Sequence, residues 1–262
     1  MHKIARIVQF SLGMLKDERQ HWILDKLSAD KKVSLVALSQ ELDVSYDSIR
    51  RDVIELEERG LLKKVHGGAI SNSYLPMRVR QAMGIPNSEI SIIAQKAQRL
   101  FHNGQIVMMD GGTTNLYIAE QLPRTLELTI ITNSPPLAIS LANHPSVEVI
   151  LLGGSFHKRY QITMGSETAA QLRHFKADLY FMGVVGIHPT AGLTIRHYEE
   201  SQLKRQMMAV SGKTVVCTTF EKINNVEAYQ VCRFEDIDTL LYSTSTILPE
   251  TKGWPRHKVE FI

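Results

Sequence analysis

Between Val33 and Ala69 the chain reads VSLVALSQELDVSYDSIRRDVIELEERGLLKKVHGGA, and no stretch constrains the fold more tightly. Ser34 is a good helix N-cap, and Leu35, Leu38 and Leu42 follow it at helical spacing. Asp43-Val44 makes a short turn, after which Ser45 caps a further helix with an apolar stripe of Ile49, Val53 and Leu56. At about 100° per residue, Asp47, Ser48 and Arg51 point away from that stripe, and Tyr46 and Arg50 flank it. The outward surface at the start of this helix is therefore hydrogen-bonding and cationic. That is the arrangement of a helix-turn-helix, whose second helix enters the major groove by its N-terminal end. Gly60 stands where a C′ residue would end the helix. LLKKV and AISN, on either side of His66-Gly67-Gly68, read as a two-stranded wing with a glycine turn. Lys63 and Lys64 lie on it within reach of a phosphate backbone. A first helical pattern, Glu18 to about Ser28 with Trp22, Ile23 and Leu27 on one face, precedes the pair.

The candidate DNA contacts are Ser34, Ser45, Tyr46, Asp47, Ser48, Arg50, Arg51, Lys63, Lys64 and His66. Arg51 could instead pair with Asp47 at i,i+4, and Arg50 could be a solvated surface charge. Charge placement favours a polyanion partner. Residues 1–80 hold 14 Lys and Arg against 11 Asp and Glu, whereas residues 81–262 hold 16 of each, so the whole excess of +3 lies in the N-terminal third.

Residues 71–88, with two prolines and little periodicity, read as a linker between domains. Beyond them the pattern alternates. A helix at about 88–102 is followed by the strand IVMMD, the turn GGTTN and a helix through Ala119. LTIITN and VEVILLGG are short β-branched strands, each leading to a turn and a helical pattern, and ADLYFMGVVG and TVVCTT repeat the scheme. Buried strands alternating with helices imply an α/β domain with a mainly parallel sheet over 89–262. Ligands of such sheets bind beyond the carboxyl ends of the strands. The small polar residues fall there: Asp110-Gly111-Gly112-Thr113-Thr114, then Thr132-Asn133-Ser134, then Gly153-Gly154. Glycines that let backbone N–H groups converge, with hydroxyls beside them at a helix start, suit a phosphate. Any one of these turns alone would be a plain tight turn. No Gly-x4-Gly-Lys-Ser/Thr is present, which argues against a nucleotide P-loop.

The segment SYDSIRRDVIELEERGLLKKVHGGA resembles the signature of the DeoR family of bacterial transcriptional regulators, with Ser48 for Thr and Val53 for Leu. The second half is similar to the sensor domain of that family, itself related in fold to ribose-5-phosphate isomerase. The matching residues are the Asp110–Thr114 loop, Thr132-Asn133-Ser134, Gly153-Gly154, Asp178 with Gly183 and Gly186, Gly192-Leu193-Thr194, and Glu200 with Lys204-Arg205. The resemblance implies an operator in double-stranded DNA, a phosphorylated sugar as effector, and Glu200 and Lys204 in its site. Glu200 and Lys204 read equally well as an i,i+4 surface pair. After the strand at Thr214–Thr218 the family tract Asp-Ser-Ser-Lys-Phe is replaced by Thr219-Phe220-Glu221-Lys222-Ile223, so only Lys222 carries over. Either Glu221 points away and Lys222 binds the phosphate, or the ligand is altered.

The fold expected is thus a winged helix-turn-helix, 16–70, joined to an α/β sensor domain. The segment 1–15, MHKIARIVQFSLGML, is either an added amphipathic helix or an extension upstream of a natural beginning at Met14. Gln9 interrupts its apolar stretch and no small-x-small site follows, against a secretory signal. Cys217 and Cys232 are too few for a disulfide framework and read as reduced cytosolic thiols. No apolar run reaches the roughly 20 residues of a membrane span. The ten histidines show no i,i+4 pair and no Cys-x2-Cys, so neither metal nor cofactor is expected. Palindromic operators favour a homo-oligomer. The rival reading is a sugar-phosphate isomerase or deaminase carrying a nucleic-acid-binding module, which an isomerase does not need.

Overall fold

The computed structural model describes residues 15–30, 32–59, 61–71, 88–243, 251, 254–255 and 258–262. The expected extension up to Met14, Gly60 as helix terminator, and 72–87 of the expected linker lie outside them. The chain divides into two compact units, Met1–Leu75 and Pro76–Ile262.

The first unit runs α1 (Lys16–Asp30), β1 (Lys32–Ser34), α2 (Leu35–Leu42), α3 (Tyr46–Glu58), β2 (Leu62–Val65) and β3 (Gly68–Ser71). Its core is the set of stripes read from the sequence. Ile23 and Leu27, then Leu35, Leu38 and Leu42, then Ile49, Val53 and Leu56 meet around Leu62 and Ala69 of the wing. Both caps form: Ser34 Oγ accepts from the Ala37 N–H at 3.5 Å and Ser45 Oγ from the Ser48 N–H at 3.2 Å. Between the helices Asp43 takes φ +50°, a left-handed conformation that Asp tolerates.

The wing has a third strand. β3 pairs antiparallel with β2 and, on its other side, with β1. Lys32–Ser34 reads in sequence as the approach to α2, and three residues are too few to display alternation. The third strand also accounts for the glycine pair. Gly67 turns the hairpin at φ +71°, and a Cβ on Gly68 would sit 2.3 Å from the Val33 carbonyl oxygen.

In the second unit α4 (Ser88–Ala97) leads to β4 (Gln105–Met109), α5 (Thr113–Glu120), β5 (Leu128–Thr132), α6 (Pro135–Ser140) and β6 (Val147–Leu151). There follow β7 (Ser155–His157), β8 (Ile162–Met164), α7 (Ser166–Leu172), β9 (Ala177–Met182), β10 (Gly186–His188), β11 (Gly192–Ile195), α8 (Tyr198–Ala209) and β12 (Ser211–Thr218). β13 (Tyr229–Cys232), β14 (Thr239–Tyr242) and β15 (Glu260–Phe261) complete it. Seven strands form one parallel sheet in the order β15-β14-β12-β9-β4-β5-β6.

Alternate residues of each central strand serve opposite faces. Val107, Met109, Leu179, Phe181, Val215 and Cys217 pack with α4, α5 and α6. Met108, Tyr180, Met182 and Val216 pack with α7, α8 and a small antiparallel sheet, β10-β11-β13. Apolar residues on both faces are what give these strands their unbroken hydrophobic runs. The expected alternation breaks twice. A hairpin, β7–β8, stands between β6 and its helix, and the antiparallel sheet is inserted around β11 and α8.

Cys217 is buried, and its thiol is pushed up to about 12 by burial. Iodoacetamide at pH 8 should therefore leave Cys217 unlabelled in the folded protein and label it in urea, as read by mass spectrometry. Labelling of the folded protein at the denatured rate would contradict this packing.

Candidate recognition helix and strand-end crevice

The first turn of α3 carries the candidate DNA contacts to the surface. Tyr46 is 43% exposed, and Asp47, Arg50 and Arg51 are exposed. Among the described residues neither arginine forms an ion pair, so the alternative pairing of Arg51 with Asp47 is not made. Ser34 and Ser45 are engaged as caps, and Ser48 gives its N–H to Ser45 Oγ, with the two hydroxyl oxygens 2.9 Å apart. On the wing Lys63 reaches Glu57 at 2.8 Å, Lys64 donates its backbone N–H to the same carboxylate, and His66 is exposed at the hairpin tip.

Asp52, next to the arginine pair, was not singled out by its sequence pattern. It is buried, and it accepts from Arg19 Nε at 2.5 Å and from Gln20 Nε2 at 3.4 Å. The hydrogen bond to Asp52 outweighs burial and raises the Arg19 pKa. Asp52 thus ties α1 to α3 and fixes the axial rotation of the helix that presents Arg50 and Arg51.

In the second unit the predicted effector residues gather at the carboxyl ends of the central strands, and they divide into two groups. One group is internally satisfied. The buried carboxylate of Asp110 accepts from Tyr180 OH at 2.6 Å, Gly183 N–H at 2.8 Å, Asn115 Nδ2 at 2.9 Å, and from the ammonium of Lys204. Lys204 is buried too and lies 3.4 Å from Glu200, so this pair is not a surface pair. Burial alone would lower the Lys204 pKa, but the charges of Asp110 and Glu200 with their hydrogen bonds raise it. Tyr180 is pushed well up, by burial first and then by Asp110. Thr132 Oγ1 accepts from the Ser134 N–H at 3.0 Å. Gly153 gives its N–H to Gln171, and its carbonyl accepts from Thr168 Oγ1 at 2.6 Å. A Cβ on Gly154 would meet that same Thr168 Oγ1 at 2.1 Å. The Gly153-Gly154 turn is therefore spent on packing against α7.

The other group is orphaned. Thr113 Oγ1, Ser134 Oγ, Asn133 Oδ1 and Thr219 Oγ1 are buried with no hydrogen-bond partner among the described residues. They follow β4, β5 and β12, parallel strands at one end of the sheet. Gly111 lies among them, where a Cβ would be 3.6 Å from Ser134 Oγ and 2.2 Å from Ile162 Cγ2. Thr114 is buried in the first turn of α5, and no side chain caps that helix at Gly112. Lys222 ends the 3₁₀ turn Phe220–Lys222, three residues past Thr219. Tyr180 and Thr219 were missed in the sequence. Their signals were slight: one polar-tipped ring inside ADLYFM, and one hydroxyl just past a strand. A shallow depression of about 420 Å³ at the opposite strand ends, lined by Glu127 and Glu148 among others, is acidic and holds none of these orphaned groups.

A helix-turn-helix with a free arginine pair, followed by a parallel α/β unit with a polar crevice, defines a DNA-binding regulator with a small-molecule sensor. Residues 19–74 match the family profile described as DeoR-like helix-turn-helix domain, and 88–244 that of the DeoR C terminal sensor domain. The chain belongs to the DeoR family of transcriptional regulators. It is 33% identical to the HTH-type transcriptional regulator GolR of Listeria innocua, over 87% of this chain and 91% of that one. The HTH-type transcriptional repressor GlcR of Bacillus subtilis is 31% identical over 87% and 88%. Among solved structures, translation initiation factor eIF-2B of Pyrococcus horikoshii OT3 is similar over 95% of this chain and 88% of its own, with TM-score 0.51 and 12% identity, a likeness of fold alone. Ribose 5-phosphate isomerase A of Methanocaldococcus jannaschii is similar over 51% of this chain, which spans about half (53%) of that enzyme, at TM-score 0.38 and 13% identity; that carries no argument. The chain is a transcriptional regulator and not a sugar-phosphate isomerase or deaminase. Among the described residues no helix is long and apolar enough to cross a membrane, and no cluster of three metal-ligating side chains occurs.

Proposed function

We propose that this protein represses genes of carbohydrate metabolism and that a phosphorylated sugar sets its grip on the operator. In this reading 16–70 bind DNA through Tyr46, Arg50, Arg51 and the wing, 71–88 link, and 89–262 sense. GlcR and the aga operon repressor of Escherichia coli O157:H7 are relatives named as transcriptional repressors, and a further relative, of Haemophilus influenzae, is named for the L-fucose operon. The observation that carries the sensor half is the set of orphaned, buried polar atoms on Thr113, Asn133, Ser134 and Thr219 at the carboxyl ends of parallel strands, with Thr113 opening the uncapped α5. An unmade hydrogen bond on a buried hydroxyl costs about 1–3 kcal/mol. Phosphate oxygens would satisfy several at once at a helix N-terminus, with Lys222 the nearby cation that the family pattern retains. Symmetry-related half-sites call for at least a dimer.

The test is a titration of sugar phosphates against parent and Thr113→Ala/Ser134→Ala protein. Losing two charge-assisted hydrogen bonds of about 1.5 kcal/mol each should weaken effector binding about a hundredfold. Operator affinity without effector should not change. Because coupling is reciprocal, an effector that releases the operator must bind the DNA-bound protein less tightly. Equal effector affinity in both proteins would mean that the Asp110–Asn115 loop is only a turn.

A further inference from the structure

Three rings cluster beside the strand-end residues, outside every motif read from the sequence. His157 and Tyr160 belong to the β7–β8 hairpin, and His197 precedes α8. The His157 and Tyr160 rings stack with centroids 4.8 Å apart and 17° between planes. His197 meets both edge-on, at 5.2 Å and 5.1 Å. The cluster borders the site just described on two sides. On one, Ile162 of the same hairpin sits against Gly111, and Thr163 is hydrogen-bonded to the Asn133 carbonyl. On the other, His197 stands three residues before Glu200, which pairs with Lys204 and through it with Asp110. Tyr160 is half-buried, and its pKa is raised by burial, with Arg159, Arg196, Glu200 and Glu227 adding smaller opposing effects.

Among the described residues the Tyr160 hydroxyl and the His197 ring nitrogens make no hydrogen bond. His157 Nδ1 accepts the Tyr160 backbone N–H at 3.4 Å, so in the neutral ring Nε2 carries the proton and is a donor. The turn between the strands is held in an unusual shape. Gln161 takes φ +53°, and its amide oxygen is buried without a hydrogen-bond partner among the described residues. A left-handed non-glycine residue beside an unsatisfied amide marks a segment shaped for something other than its own stability.

We propose that His157, Tyr160 and His197 form a stacking wall for the carbon skeleton of the effector and determine which sugar is sensed. This rests on the reading of the strand-end crevice as the effector site, and deepens it. Ring faces cover the C–H side of a sugar, while Nε2 of His157, the His197 nitrogens and the Tyr160 hydroxyl meet its hydroxyls. A mostly aromatic wall with a few placed polar groups is how sites fix the orientation of small ligands. The division of labour is explicit: hydroxyls at the strand ends hold the anion, and the rings read the rest.

The experiment measures affinities of full-length parent, Tyr160→Ala, Tyr160→Phe, His197→Ala and Thr113→Ala/Ser134→Ala protein. The probes are inorganic phosphate and a panel of triose to hexose sugars, free and phosphorylated. Circular dichroism melts verify that each variant is folded. The parent should bind at least one sugar phosphate about tenfold or more tighter than inorganic phosphate, a margin of about 1.4 kcal/mol. Tyr160→Ala should erase that margin and leave phosphate affinity in place, Tyr160→Phe should keep most of it, and His197→Ala should reorder the panel. The wall is overturned if the parent shows no margin, if Tyr160→Ala keeps margin and ranking, or if it weakens inorganic phosphate equally. Failure of the anion reading looks different: inorganic phosphate then binds parent and Thr113→Ala/Ser134→Ala alike, while Tyr160→Ala still changes the ranking of sugars. Should Tyr160→Ala not fold, Tyr160→Phe and His197→Ala decide by the ranking alone.

Discussion

Replacing Lys204 with Met should lower the stability of the sensor unit by about 3–5 kcal/mol, the cost of leaving one member of a buried ion pair without the other. Lys204 and Asp110 are both buried, and the remaining donors to Asp110 (Tyr180, Gly183 and Asn115) are neutral. None can cancel the stranded charge. The double variant Asp110→Asn/Lys204→Met should be more stable than Lys204→Met alone, since removing both charges removes the desolvation penalty as well. Urea melts of the full chain, followed by a probe in the second unit, measure both. A loss below about 1 kcal/mol for Lys204→Met would mean the pair is solvated.

The same network sets a direction in pH. The Lys204 and Tyr180 pKa values are both raised above their ordinary 10.5 and 10.0. The folded chain therefore holds these protons more tightly than the unfolded chain. Their contribution is complete below about pH 10 and is lost as pH rises through the folded values.

How much of this was legible depended on period and range. Stripes such as Leu35, Leu38 and Leu42, or Ile49, Val53 and Leu56, report a local helical face, and each one is buried as its spacing requires. The central strands were legible because burial on both faces leaves a run such as QIVMM almost without polar interruption. β1, β7, β8 and β10 have three residues each, too few for any period, and β1 pairs with β3 across more than thirty residues of chain. The same holds within the crevice. That Thr113, Ser134 and Thr219 all stand at carboxyl ends of strands follows from the parallel sheet that the alternation implied. That Lys204 reaches Asp110, rather than serving only Glu200 four residues earlier, depends on where α8 crosses the sheet, and no local spacing encodes it. The ring cluster was illegible for that reason too, its members being 37 to 40 residues apart between His157 or Tyr160 and His197.

The other large effect expected is on DNA: Arg50→Ala/Arg51→Ala should weaken specific operator binding about a hundredfold or more and leave the fold intact. Two arginine contacts to base edges or phosphates, at about 1–3 kcal/mol each, supply that loss. Stability should be spared because both side chains are exposed and neither forms an ion pair among the described residues. Asp52 offers the contrast. Asp52→Ala would remove the Arg19 ion pair, open a buried gap and loosen α1 from α3, so it should lower the melting temperature of the first unit along with operator affinity. Salt dependence separates the roles of the two arginines. Removing an arginine that neutralises a phosphate should flatten the slope of log K against log salt by about 0.9. Removing one that hydrogen-bonds a base edge should leave the slope and relax sequence preference. The duplex is selected from a random library with the parent protein, and binding is followed by fluorescence anisotropy across a salt series. A double variant that binds this duplex as tightly as the parent, with the same slope, would remove α3 from the groove and leave the wing, with Lys64 and His66, as the DNA-contacting surface.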